Sequence, residues 1–275
     1  LLAKEPRLGA RVRLLFQPAE ELAQGAVWMR DAGAVEGLDA LFGLHVVPNL
    51  PVGTVGIRRG CLTAAAGERE ILVQGEGGHG ARPHQAVDAV WLAARVITEL
   101  QQAIARRLDA LQPVVISFGK VEGGRAFNVI ADQVRLLGTV RCLDLQQHAL
   151  LPAWIEEMVQ GICGSGGGTA VVNYRCIAPP VHNDPQLTAL LERCAVGCLG
   201  RDKVLPVEQP SLGAEDFAEL LRDVPGMMVR LGVAGPEGCA PLHNGAFALE
   251  EDALGGGITV LTATLLAWLA ENAPA

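Results

Sequence analysis

The sequence predicts an α/β domain, built from both ends of the chain and interrupted by an inserted ferredoxin-like α+β domain. Two observations predict it. At each end, short apolar runs alternate with helical segments over short connections, as in an α/β layer. In the middle, the order strand, helix, strand, strand, helix, strand is that of the split βαβ unit. The crossings fall near Ala65 and Ala178. Residues 1–65 and 178–275 then form the outer domain and 66–177 the insertion.

Taken in order, Arg11 to Gln17 is β-branched and apolar and reads as a buried strand ended by Pro18. Ala19 to Ala32 reads as a helix stopped at Gly33. Ala40 to Val46 and Val52 to Arg58 read as two further strands. In the insertion, strands are expected over Glu68–Gln74, Val114–Glu122, Gln133–Arg141 and Thr169–Ile177. Helices are expected over Ala86–Arg106 and Leu145–Ile162. After Pro179-Pro180, helices are expected over Asp184–Leu199, Ala214–Leu221 and Glu251–Ala270, with a strand over Met227–Val233. There is no internal repeat or low-complexity tract.

Composition sets limits. Half of the 275 residues are hydrophobic and 19% are charged, so a sizeable core is expected rather than disorder. A net charge of -8 argues against nucleic-acid or acidic-membrane partners, which need a basic face. No run reaches the roughly 18 apolar residues of a membrane span. Leu1–Pro6 has no basic stretch followed by a long apolar one and is not read as a signal peptide. Seven scattered cysteines without a Cys-x-x-Cys pair read as reduced thiols of a cytoplasmic protein.

Five short motifs carry chemistry. In Phe16-Gln17-Pro18-Ala19-Glu20-Glu21, adjacent carboxylates point in different directions, so one can bind a metal while the other moves protons. The same pair would also suit a helix N-terminus, where the macrodipole favours acidic residues. Gly43-Leu44-His45 places a His at a strand end, and Pro241-Leu242-His243-Asn244 places another in a loop. Two imidazoles and a carboxylate at three separate loop ends suit Zn²⁺, Mn²⁺ or a similar ion. In Gly77-Gly78-His79-Gly80, glycines leave His79 open to a ligand, although a plain turn fits the same residues. Asn128 has the chemistry to donate to an oxyanion, and Arg141 to clamp a carboxylate. Gly213-Ala214-Glu215-Asp216-Phe217 fits either an acidic helix start or a group behind a metal site, with Glu215 in that supporting place.

In this order, FQPAEE, GLHV, GGHGARPH, GAEDF and PLHN resemble the metallopeptidase-like amidohydrolases: hippurate hydrolases, N-acyl-L-amino-acid amidohydrolases and auxin-conjugate hydrolases. The resemblance implies a zinc-exopeptidase-like catalytic domain with an inserted lid and dimerisation domain, and hence a homodimer. It implies that Glu20 is the general base and that Glu21, His45 and His243 are metal ligands. It implies that His79 steadies the oxyanion and that Asn128 and Arg141 meet the substrate, an N-acyl amino acid. Two divalent ions (Zn, Mn, Co or Ni) belong to a complete site of this kind.

Relatives of that kind carry an upstream Cys-Gly-His-Asp-type motif that supplies further ligands, and the chain as given opens after its position. Weak, single-metal or no binding is therefore expected of this chain. A dipeptidase, and a non-catalytic remnant that dimerises through the insertion, stand as alternatives.

Overall fold

A computed structural model describes residues 10–272. The opening Leu1–Pro6 lies outside them. Along the chain come α1 (Gly25–Asp31), β1 (Leu41–Pro51), β2 (Val55–Ile57), β3 (Gly60–Cys61), β4 (Ala65–Gln74) and β5 (Gly78–His79). They are followed by α2 (Ala89–Arg107), β6 (Val114–Gly123), β7 (Val129–Ile130), β8 (Gln133–Cys142) and α3 (Leu145–Ser165). Then come β9 (Thr169–Ala178), β10 (His182–Asn183), α4 (Pro185–Leu199), β11 (Val204–Pro206), α5 (Phe217–Leu220), β12 (Gly226–Ala234) and α6 (Asp252–Asn272). The chain divides into two compact units. The first takes the chain up to Leu62, Val181–Pro210 and everything from Asp216 on; the second takes Thr63–Pro180 and Ser211–Glu215.

The second unit is ferredoxin-like. Its antiparallel sheet has the order β6-β8-β4-β9. Period-two burial on β4 and β8 turns Ile71, Val73, Val134, Leu136 and Val140 into one core. Helix α2 buries Ala89, Leu92, Ala93, Val96, Leu100 and Ala103, one face of a 3.6-residue helix, and α3 adds Ile155 and Val159. The sequence places the start of α2 at Ala86, but it begins at Ala89. Asp88 accepts from the amides of Val90 and Trp91 as N-cap, and Val87 pairs with Glu76.

The first unit is built on a four-stranded sheet of order β1-β12-β2-β11, with β1 parallel to β12. Helices α4 and α6 share its core with the strand residues Val55, Val229 and Leu231. Asn183, fully buried, fastens β10 to β12 and to the residue that follows β2. Its amide donates to the carbonyls of Arg58 (2.9 Å) and Met228 (3.0 Å), and its oxygen accepts from the Met228 amide (2.8 Å). Asn183→Ala would strand these buried backbone groups and is expected to cost about 3 kcal/mol. Thermal unfolding should show a midpoint roughly 5–10 °C lower.

Two expectations fail in the first unit. Arg11–Gln17 is not a strand: it pairs with no described strand, and Leu14 and Phe16 are exposed. Apolar composition does not make a strand without a neighbour to bond to. Ala19–Ala32 is not one helix but a 3₁₀ turn over Glu20–Leu22 followed by α1. Ala19 and Ala23, both at φ 50°, break the helix on either side of the turn. Separately, α6 has mean hydropathy 1.7 over its most apolar stretch, long and apolar enough to cross a membrane by composition alone. Gly and Thr residues interrupt its apolar run in the sequence. Ala253, Gly257, Val260 and Thr264 are buried.

Candidate active site

The segment Gln17–Ala26 is a self-contained loop. The Ala23 amide bonds to the Glu20 carbonyl at 2.7 Å and the Leu22 amide to the Ala19 carbonyl at 3.2 Å. A Cβ on Gly25 would lie 1.5 Å from the Pro18 carbonyl oxygen, so only glycine lets the loop close. This folding sets Glu20 half-buried and Glu21 exposed, on a 3₁₀ turn flanked by two left-handed alanines.

Three other segments of the first unit meet this loop. Glu21 Oε2 lies 3.0 Å from His243 Nδ1. His243 itself holds a positive φ of 62°, uncommon for a non-glycine residue. His45, on β1, donates from Nδ1 to the Val46 carbonyl at 2.6 Å. That bond fixes the tautomer and gives Nε2 the lone pair a metal takes. Gly43 brings the third segment in. The Phe217 ring packs where a Gly43 Cβ would stand, 2.8 Å from the nearest ring carbon, so α5 and the preceding Asp216 come up to β1.

The electrostatics agree with this gathering. Burial pushes the Glu20 carboxyl above its ordinary range, and the charges of Asp216 and Glu21 push it further. His45 and His243 pull it part of the way back. Burial also raises Asp216, against the opposing bonds from the Ala26 amide and Gln17. Glu215 stands where the chain returns to the first unit, peptide-bonded to Asp216 and buried. Within the first unit, one oxygen each of Glu20 and Asp216 lies within 4.8 Å of the other.

The donor set fits a divalent ion. Carboxylates and imidazoles are the donors such an ion takes, Glu21 and His243 are in contact, and the close acidic groups that burial disfavours as anions would gain from a cation among them. Without metal, the sign of the linkage follows. A carboxyl raised on folding stabilises the protein below its unfolded pKa and loses that contribution as pH rises through the folded value. Glu20→Gln is therefore expected to raise the unfolding midpoint of the metal-free chain at neutral pH. The gain should vanish as pH falls into the ordinary carboxylate range, which scans at both pH values in chelator will show.

In the second unit, β5 and β7 form a two-stranded ribbon that brings together two residues far apart in sequence. His79 pairs with Val129, and the Gly80 amide bonds to the Asn128 carbonyl at 2.8 Å. His79 Nδ1 accepts from the Ala81 amide at 3.0 Å, so the ring proton sits on Nε2 of this exposed side chain. Arg141 lies near the end of β8, half-buried, with Nη1 lacking a hydrogen-bond partner. Burial lowers its pKa.

A family model described as Peptidase family M20/M25/M40 matches residues 1–267. The chain belongs to this family. The protein named "Probable hydrolase sll0100" from Synechocystis sp. is 51% identical over 258 residues, 93% of this chain and 66% of that protein. The N-acetylcysteine deacetylase of Bacillus subtilis is 36% identical, over 91% of this chain and 64% of its own. Among solved structures, the YXEP protein of Bacillus subtilis, described as a dinuclear metal-binding peptidase of family M20, matches with TM-score 0.76 and 31% identity. That match covers 94% of this chain and 64% of the other. The chain thus spans about two thirds of the length of these relatives.

Two residues outside the motif roles assigned from sequence also shape the site of this M20 chain. Gln17 and Asp216 are hydrogen-bonded to each other across 199 residues. Both sit inside motifs already singled out, FQPAEE and GAEDF, but only the fold shows that they meet.

Proposed function

We propose that this chain carries the chemistry of a metal-dependent amidohydrolase that cleaves the amide bond of N-acyl amino acids. One observation carries the reading: Glu20, Glu21, His45 and His243, from three separate segments, gather in one unit, with Glu21 and His243 in contact. The deacetylase name of one relative and the dinuclear metal-binding description of another support it.

Glu21, His45 and His243 would hold a divalent ion, which when bound polarises a carbonyl oxygen and acidifies water. Glu20 then takes a proton from the attacking water and returns it to the leaving amine nitrogen. Its raised pKa suits a carboxyl that must accept and release a proton in one cycle. His79 offers Nε2–H to the carbonyl oxygen as negative charge develops there, and Asn128 adds an amide donor. Arg141 pairs with the free carboxylate of the amino acid. The second unit serves as lid and dimerisation domain in this reading. The seven scattered cysteines, with no Cys-x-x-Cys pair in the sequence, fit a reducing, cytoplasmic setting.

The test is a paired assay, with Mn²⁺ or Zn²⁺ added, of an N-acyl amino acid and an unblocked dipeptide. Turnover of the N-acyl substrate, abolished by chelator, is expected. Turnover of the dipeptide alone would replace the proposal with an exopeptidase, and metal-independent turnover would end it.

A further inference from the structure

We propose that Asp216 is a positioning residue that clamps the Gln17–Ala26 loop at both ends and so sets the places of Glu20 and Glu21. The proposal rests on the reading of that pair as proton carrier and metal ligand. Asp216 is 1% exposed, and each of its oxygens is used. Oδ1 accepts from Gln17 Nε2, three residues before Glu20. Oδ2 accepts from the Ala26 amide at 3.0 Å, five residues after Glu21.

The loop needs such a hold. Its own bonds are short-range, and it carries two left-handed alanines, conformations that L-residues avoid unless the surroundings impose them. Asp216 is fixed in turn by Phe217, whose ring fills the space over Gly43 on β1. A rigid strand thus locates the carboxylate, and the carboxylate locates the loop. Each oxygen holds an N–H donor of the loop, which gives Asp216 the part of a group that orients the ligands.

The arrangement makes an unusual prediction about its own reversal. Gln17→Glu sets two carboxylates face to face and should open the clamp. Asp216→Asn alone should be mild. The new amide can donate toward position 17 and accept from Ala26, while Gln17 turns its own amide to match. The double variant Gln17→Glu/Asp216→Asn restores both bonds with the polarity of one reversed, and should recover. Groups that orient metal ligands typically change metal affinity by about 10–100-fold, which sets the loss expected for Gln17→Glu.

Two readouts decide the proposal. Titration with Co²⁺, followed by its visible absorption, should show binding weakened about tenfold or more in Gln17→Glu and restored in the double variant. Amide hydrogen exchange should show Ala26 protected in the starting protein, exposed in Gln17→Glu and protected again in the double variant. Failure of the starting protein to bind Co²⁺ would count against the proposed function alone, and the exchange series would still judge the clamp. Unchanged Ala26 exchange in Gln17→Glu, or no recovery in a double variant with a native circular-dichroism spectrum, would overturn it.

Discussion

Glu20→Gln is expected to cut the rate of amide hydrolysis by roughly 10²–10⁴-fold, the usual worth of a positioned proton carrier. Metal content should not change. The substitution keeps size and shape and removes only the ability to take up a proton, while Glu21, His45 and His243 remain. Glu20 is half-buried beside Asp216 and Glu21, an environment that already favours its protonated form. The neutral amide should therefore be tolerated by the fold. Steady-state kinetics paired with elemental analysis will read both effects. A loss of metal along with activity would reassign Glu20 as a ligand.

Gly25→Ala is expected to be the most damaging change that touches no charged group. The added Cβ would meet the Pro18 carbonyl oxygen at 1.5 Å, and that atom is backbone, which no rotamer change can move. The loop must open instead, at a cost of about 3 kcal/mol or more. Opening displaces Glu20 and Glu21 together, so metal affinity and hydrolysis should fall in parallel, with the second unit unaffected. Thermal unfolding, metal titration and an activity assay on one preparation will test it. A variant with normal affinity would show that the loop's closure does not matter to the site.

The ferredoxin-like unit was legible because its signals are local. Burial on β4 and β8 follows the period of two that their residues show, and α2 buries one face of a 3.6-residue helix, although its cap at Asp88 moves its start three residues beyond the expected Ala86. His45 and His243 were legible as candidates because each stands in a distinctive short motif at an element end or loop. Residues 11–17 misled for the opposite reason: whether an apolar run pairs as a strand depends on its neighbours, not on its own composition. The left-handed alanines at 19 and 23 carry no sequence signal, since nothing about alanine announces a positive φ. Nothing in the sequence separates Asp216 from Glu215, because adjacent acids look alike there. The bonds to Gln17 and Ala26 that distinguish Asp216 span 199 and 190 residues.

The central claim is that Glu21, His45 and His243 form one metal-binding constellation with Glu20 beside it. Metal uptake by calorimetric titration, on this chain and on its His243→Ala variant, tests it most directly. Saturable binding of Zn²⁺ or Mn²⁺ that His243→Ala weakens severely, with the fold intact, is the result predicted. Equal uptake by the two proteins, or none by either, would contradict it.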